Sequence, residues 1–184
     1  MSLQSSFPRR IGATNTIFQM LLQNPKFRQI DFSKLKMAVT GAAPLTSDDR
    51  RKVEEVIGVN KLCDAFGMTE TSPVSTQTLP EDSLAHRTET VGRAHPHVDI
   101  RIADPKTSET LPRGETGEFC TRGYSVMSGY WEDTVKTTEA IDEAGWMHTG
   151  DLAVMGLDGT VQIVGRIKDM VIRGGENIYP REIE

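Results

Sequence analysis

A hydroxyl and a carboxylate follow closely after a glycine in residues 66–71, which read FGMTET. Gly67 carries no Cβ, so the backbone there can approach a ligand closely. Thr69 can offer a hydroxyl to a phosphate, and Phe66 can stack on a base. Glu70 can hold a hard cation, because Mg²⁺ often uses one or two carboxylates together with substrate phosphates. A strand-to-helix turn capped by Thr69 explains the same residues and, taken alone, is the simpler interpretation.

Two later segments carry charge at glycine turns. Asp151 follows Gly150, and it is either a cap or a carboxylate that grips the hydroxyls of a ribose, as acidic residues do in dinucleotide sites. In residues 165–180, the charged side chains at 166–169 interrupt two apolar runs. Such a pattern does not suit a buried strand and is typical of a joint between domains. The glycine turn at 174–177 is a plain hairpin in the simplest interpretation.

The first half of the chain contains a strand–helix–strand unit that would position these residues. Apolar periodicity predicts a helix over 14–24, and short buried strands are predicted at 35–39 and 61–66. A helix capped near Ser47 and stopped by Gly58 lies between the strands. Ligands in open α/β sheets bind outside the carboxyl ends of the strands. We therefore expect the turns 41–44 and 66–70 to face one crevice.

The second half of the chain has a different sequence pattern. Short strands are predicted at 98–102, 117–122, 152–155 and 161–164, and an Asp-Gly pair at 158–159 is a strong hairpin signal. These features indicate a small antiparallel sheet or barrel. The fold class is therefore α/β followed by β.

Composition excludes several classes of function. The net charge is -5 and no basic run stands out, which argues against nucleic acid as a partner. No apolar run approaches the roughly 20 residues of a membrane-spanning helix. Cys63 and Cys120 lie far apart and are read as reduced core residues, and the four histidines show no metal-binding spacing. Residues 1–10 contain no secretory signal.

Several blocks in order resemble the adenylate-forming superfamily of acyl- and aryl-CoA synthetases, firefly luciferases and peptide-synthetase adenylation domains. The blocks are GAAP at 41–44, FGMTE at 66–70, GEFCTRG at 117–123 with GYW at 129–131, GWMHTGD at 145–151, and Gly165, Arg166 and Asp169. Residues 168–180 are similar to acyl-CoA synthetases in particular. The runs 71–74, 80–82 and 123–127 look most like the mitochondrial medium-chain acyl-CoA synthetase called family member 2.

The resemblance implies a role for each matched residue. The nucleotide would contact Gly41, Ala42, Ala43, Asp64, Ala65, Phe66, Gly67, Met68, Thr69, Asp151, Ile163 and Arg166. Among these, Phe66 would face residues 41–43 across the adenine, Thr69 would contact the α-phosphate, and Asp151 with Arg166 would hold the ribose. Thr69 and Glu70 would be the catalytic pair, with Glu70 as the Mg²⁺ ligand. Lys168 and Asp169 would form the hinge, and Gly174 and Gly175 would border the tunnel for coenzyme A.

The implied activity is ATP-dependent activation of a medium-chain fatty acid through an acyl-AMP intermediate, followed by transfer to coenzyme A. The family's loop for the β- and γ-phosphates and its adenylation lysine have no match in this sequence, so we expect a fragment that is inactive alone. A truncated paralogue that binds AMP or a partner, or another carboxylate activator such as an aryl-CoA ligase, remains an alternative. The resemblance suggests the mitochondrial matrix, or otherwise the cytoplasm.

The same resemblance divides the chain. Residues 1–10 are unmatched, and 11–95 would end a large α/β AMP-binding subdomain. Residues 96–167 would form a β-barrel subdomain. Residues 168–184 would contain the hinge and the first strand of a C-terminal lid.

Overall fold

The structure, a computed structural model, describes residues 9–41, 47–58 and 62–169, and the backbone alone for 171–173 and 176–178. The first half contains β1 (Arg10–Thr14), α1 (Asn15–Gln23), β2 (Met37–Gly41), α2 (Ser47–Ile57), β3 (Leu62–Phe66), β4 (Thr76–Gln77), α3 (Leu84–Glu89) and β5 (Arg93–Ala94). The second half contains β6 (Val98–Ala103), β7 (Thr116–Gly123), α4 (Thr134–Ala140), β8 (Met147–Met155) and β9 (Val161–Arg166). Two short strands follow, β10 (Val171–Arg173) and β11 (Glu176–Ile178).

The first sheet has the strand order β1-β2-β3-β4-β5. Strands β1, β2 and β3 run parallel, which confirms the expected strand–helix–strand unit, and β4 and β5 are antiparallel additions. Helices α1 and α2 cover the parallel strands and bury their apolar faces against them. The core they enclose contains Phe18, Phe27, Ala38, Val53, Ile57 and Leu62. Strand β1 was not expected, because its sequence RIGAT has a single large apolar residue.

The second sheet is antiparallel, with the order β6-β7-β8-β9. Its core contains Ile102, Phe119, Ala153 and Val161. Gly159 has φ +83° in the turn between β8 and β9, as the Asp-Gly pair predicts. The class α/β followed by β is confirmed. Within the described residues β6 and β9 are the edges of this sheet, so the sheet is open there.

Backbone hydrogen bonds join the two halves. The Val91 N–H donates to the Val161 carbonyl at 2.8 Å, and the Val161 N–H donates to the Gly92 carbonyl at 2.9 Å. Arg93 adds an ion pair with Asp158 at 2.9 Å. The start of β9 is therefore tied to the chain just before β5. In the described part of the chain, no helix is both long and apolar enough to cross a bilayer.

Candidate functional site

The segment after β3 forms a tight turn that leaves its two candidate catalytic side chains accessible. Residues 69–71 form a single turn of 3-10 helix. The hydroxyl of Thr71, which is fully buried, accepts a hydrogen bond from the Met68 N–H at 3.0 Å. Thr71 therefore stabilises this turn, whereas the Thr69 side chain is exposed and Glu70 is half-buried. The simpler interpretation, in which Thr69 caps a helix, does not describe what the structure contains.

Gly67 is required by the chain's own packing. A Cβ at this position would lie 1.9 Å from the carbonyl oxygen of Pro73 and 2.9 Å from the Cα of Val74. Both contacts are with backbone atoms, which cannot swing aside as a flexible side chain could. The glycine thus allows the 66–70 segment to fold against the following loop, a reason that the sequence pattern did not reveal.

Glu70 is anchored from the second half of the molecule. The Met127 N–H donates to the Glu70 carbonyl at 2.8 Å, and the Tyr130 hydroxyl donates to Glu70 Oε1 at 3.0 Å. This hydrogen bond raises the pKa of Tyr130, because it stabilises the protonated phenol next to a carboxylate. The Tyr130 N–H in turn donates to Thr137 Oγ1 of α4 at 2.9 Å. A turn after β3 and the loop before α4 therefore position one carboxylate together.

Asp151 and Arg166 form a pair across neighbouring strands. They are register partners on β8 and β9, and Arg166 Nε donates to Asp151 Oδ1 at 2.9 Å. The Asp151 side chain is only 9% exposed, whereas that of Arg166 is 56% exposed. Burial raises the pKa of Asp151, and the Arg166 charge opposes that shift. The pair presents a buried acceptor beside an accessible cation.

Thr149, which lies two residues before Asp151 within β8 and not in the expected glycine turn, contacts the same residue as Phe66. The Phe66 and Phe119 rings meet edge to face, with centroids 5.1 Å apart. The Phe119 carbonyl accepts a hydrogen bond from Thr149 Oγ1 at 2.7 Å. Ile163 belongs to the same apolar cluster as Phe66. Phe66 and Thr149, the latter two residues before Asp151, therefore both contact Phe119, which forms a junction between the end of β3 and β8.

The structure also places the remaining predicted residues. Gly41 pairs with Ala65 across β2 and β3, and a Cβ on Gly41 would lie 2.7 Å from the Ala65 carbonyl oxygen. Lys168 and Asp169 are exposed in a 3-10 turn after β9. Their role as a hinge stays a prediction. Ala42, Ala43, Gly174 and Gly175 lie outside the described residues.

Asp64 is part of a buried ionic network that sequence reasoning missed. Arg50 of α2 is 1% exposed and donates both to the Leu62 carbonyl and to the Asp64 carboxylate. Arg87 of α3 donates to Glu54 at 2.9 Å and to the Leu62 carbonyl at 3.2 Å. Burial raises the pKa of Asp64 to about 6, although the two arginines oppose the shift. One signal was present in the sequence, since position 50 lies one turn before the apolar positions 53 and 57 of the same helix face.

A surface cleft of about 320 Å³ lies elsewhere, between α1 and α2. Its lining includes Leu22, Arg28, Lys52, Glu55 and Val56. None of these residues belongs to the predicted nucleotide set. Because Arg28 and Lys52 are basic, this cleft is the alternative location to check when nucleotide binding is mapped.

Comparison with known proteins identifies the class. The family model described as AMP-binding enzyme matches residues 4–131, so the chain belongs to the AMP-binding enzyme family. The human mitochondrial medium-chain acyl-CoA ligase ACSF2 is 42% identical over 93% of this chain and 28% of its own length. YngI of Bacillus subtilis, assigned provisionally as an acyl-CoA synthetase, is 49% identical over 92% of this chain and 31% of its own length.

The structural comparison agrees with the sequence comparison. ATP-bound MatB from Rhodopseudomonas palustris superposes with a TM-score of 0.82 at 35% identity, covering 97% of this chain and 35% of MatB. The resemblance to adenylate-forming acyl-CoA synthetases is therefore confirmed. The chain spans about a third of the length of the proteins it matches.

Proposed function

We propose that this chain forms the adenylate-binding part of an ATP-dependent acyl-CoA synthetase. The observation that supports this function best is the junction at Phe119, which Phe66 contacts with its ring and Thr149, two residues before Asp151, contacts through a hydrogen bond. Adenine would lie against Phe66, and the ribose hydroxyls would donate to the Asp151 oxygen that Arg166 does not occupy. Gly41 and Ala65 would line the same slot.

The reaction that fits these groups has two steps. A fatty carboxylate attacks the α-phosphate of ATP and pyrophosphate leaves, which gives acyl-AMP, and the thiol of coenzyme A then displaces AMP. The exposed Thr69 hydroxyl would donate to the α-phosphate, and Met68 and Gly67 would border the carboxylate. Catalysis of this kind depends on positioning and on neutralising charge. The resemblance to ACSF2 supports a medium-chain acid as the substrate, with Gly174 and Gly175 along the coenzyme A path.

Glu70 has the chemistry to hold Mg²⁺, which would neutralise phosphate charge. Hard oxygen ligands suit this ion, and the hydrogen bond from Tyr130 engages only one of the two carboxylate oxygens of Glu70. Lys168 and Asp169 are proposed as the hinge. They follow β9 directly and are exposed, as a joint that absorbs backbone rotation would be.

The function is tested by transplanting this chain in place of the matching segment of YngI. We expect the hybrid to form acyl-CoA from ATP, coenzyme A and fatty acids. Asp151→Asn keeps the size of the side chain but removes the charged acceptor, so the rate of acyl-adenylate formation should fall about 10–100-fold, the equivalent of about 1.5–3 kcal/mol for a charged hydrogen bond. Pyrophosphate release measures this step.

The matched control is Asp99→Asn. Asp99 also pairs with an arginine, at 2.9 Å, but its side chain is 63% exposed and it lies on β6, away from the predicted set. This change should leave the rate within about twofold, as surface substitutions usually do. A folded hybrid that activates no fatty acid would contradict the proposed function, and so would equal effects of the two substitutions.

Tyr130→Phe tests how Glu70 is positioned. Removing the hydroxyl frees the carboxylate to rotate away from its present direction, so the Mg²⁺ concentration for half-maximal pyrophosphate release in the hybrid should rise about tenfold, as for other groups that orient a metal ligand. Tyr124→Phe is the control, because Tyr124 is 75% exposed on the neighbouring segment. An unchanged Mg²⁺ requirement in Tyr130→Phe would show that this hydrogen bond does not position Glu70.

A further inference from the structure

Three side chains able to bind a metal meet between β7 and β8. Cys120 and His148 are register partners, and a β-bulge between Glu118 and Cys120 alters the pairing beside them. One ligand atom from each of the three residues lies within 4.8 Å of the other two. The proposed adenylate chemistry uses none of these groups, so the cluster needs its own explanation.

One separation already matches a tetrahedral zinc ion, and a second requires a small movement. Cys120 Sγ lies 3.6 Å from His148 Nδ1. Bonds of about 2.3 Å to sulfur and about 2.05 Å to nitrogen at the tetrahedral angle place these two atoms about 3.5 Å apart. His148 Nδ1 and Glu118 Oε2 are 2.7 Å apart, which is a hydrogen-bonding distance. Two zinc ligands of this type lie about 3.3 Å apart, so the carboxylate would retreat by about 0.6 Å when an ion binds.

The neighbouring groups would hold the ligands in place. Glu118 Oε1 accepts a hydrogen bond from the Gly150 N–H at 2.9 Å, which leaves Oε2 directed at the cluster. On the other side of the ring, His148 Nε2 lies 3.6 Å from Asp142 Oδ2, which also accepts a hydrogen bond from Arg101 at 3.2 Å. A metal on Nδ1 leaves the imidazole proton on Nε2, the side of the ring that lies near the Asp142 carboxylate. Partners of this kind fix the tautomer of metal-binding histidines and raise their basicity.

We propose that Glu118, Cys120 and His148 form a three-ligand site for Zn²⁺, with water as the fourth ligand. The thiolate and the carboxylate together balance the charge of the ion. Glu118 and Cys120 are buried, whereas the His148 side chain is 19% exposed, so the ion would enter from the histidine side. A bound ion would tie β7 to β8 three residues before Asp151.

Proton release accompanies binding. An ordinary thiol carries its proton at neutral pH. Burial and the charges of Glu118 and Asp142 raise the pKa of the Cys120 thiol further, and Arg101, its partner on β6, opposes that shift. The Zn–S bond forms as the S–H bond breaks, and the thiol proton passes to solvent. The field of the ion lowers the pKa of a coordinating thiol strongly, which makes this exchange favourable. Affinity should therefore fall as the pH is lowered, since the proton competes with the metal.

The test is a titration of the purified 184-residue chain with Zn²⁺ and, as a spectroscopic probe, with Co²⁺. We expect one equivalent of Zn²⁺ to bind with release of protons, and Co²⁺ to give a thiolate charge-transfer band in the near ultraviolet. Cys120→Ser should abolish the band, and Cys120→Ser and His148→Gln should each weaken Zn²⁺ binding at least about tenfold. Circular dichroism checks that each variant is folded.

The matched control is Cys63→Ser. Cys63 is the other buried cysteine, and among the described residues it belongs to no cluster of possible metal ligands. This variant should keep both the Co²⁺ band and the Zn²⁺ affinity. The proposal is overturned if no equivalent of Zn²⁺ binds, or if the band survives in Cys120→Ser and disappears in Cys63→Ser. None of these readouts depends on acyl-CoA formation, so they test the zinc site independently of the proposed function.

Discussion

Arg50→Met is expected to lower the free energy of unfolding by about 3–5 kcal/mol, the range for breaking a buried ion pair by removing one partner. Methionine occupies much of the volume of the arginine stem but donates no hydrogen bonds. The change leaves the Leu62 carbonyl with one donor fewer and removes the direct cationic partner of the Asp64 carboxylate, which is 17% exposed. Arg87 still acts on Asp64 electrostatically but makes no direct ion pair with it in the structure.

The neighbouring residue provides the control. Arg51 lies on the same helix with its side chain 69% exposed, in a 3.5 Å contact with Asp48. Arg51→Met should change stability by less than about 0.5 kcal/mol, because exposed ion pairs of this kind contribute little. Urea denaturation of the two variants measures the difference. Losses of similar size would mean that the buried network does not stabilise β3.

The pH dependence of stability gives a second readout of the same network. The pKa of Asp64 rises from 3.8 to about 6 in the folded chain, so between those values the folded state binds more protons than the unfolded state. Asp64 therefore favours folding at the acidic end of this window, and its contribution is lost as the pH rises through about 6. Asp64→Asn should remove this slope. Arg50→Met should extend the slope to higher pH, because the arginine charge holds the pKa down.

Gly67→Ala is expected to cost about 3 kcal/mol, at the upper end of the usual range for overpacking. The new methyl group would lie 1.9 Å from the Pro73 carbonyl oxygen and 2.7 Å from its carbonyl carbon. This clash can be relieved only if the backbone at Gly67 or the backbone at Pro73 shifts. The same shift would displace Phe66 and Thr69, so nucleotide binding should weaken together with stability.

Gly12→Ala is the matched control for this substitution. Gly12 is an exposed residue of β1, where a Cβ would approach nothing closer than 4.0 Å and φ is not positive. The methyl group should therefore be tolerated, with a change in stability of less than about 0.5 kcal/mol. Thermal unfolding of both variants gives the comparison. Equal changes in melting temperature would mean that the short distance between Gly67 and Pro73 does not exclude a side chain at position 67.

Local signals in the sequence predicted much of the fold. The helix at 47–57 follows from acidic residues in its first turn and a glycine after its end, and the turn at 158–159 follows from its residue types. Strand β1 escaped prediction because its pairing with β2 forms the strand, and its own sequence does not favour one. The short helix α3 was missed as well, since its six residues carry a weak apolar pattern.

The candidate site likewise contains residues that the sequence predicted and contacts that it did not. Residues 66–70 and 149–151 are contiguous blocks whose types suggest chemistry, so they could be found by reading along the chain. The contact of Tyr130 with Glu70 joins positions 60 residues apart and depends on how two loops meet. The cluster of Glu118, Cys120 and His148 depends on the register of β7 against β8. The histidines showed no metal-binding spacing because this grouping is formed across the sheet.

The most direct measurement is an NMR titration of the isotopically labelled 184-residue chain with millimolar AMP, which detects even weak binding. Amide signals of Phe66, Thr69, Gly150 and Asp151 should shift together, because the adenine is expected at Phe66 and the ribose at Asp151, next to the Phe119 junction. Shifts that spare those amides and appear instead around Arg28 and Lys52, at the cleft between α1 and α2, would contradict adenylate binding at that junction.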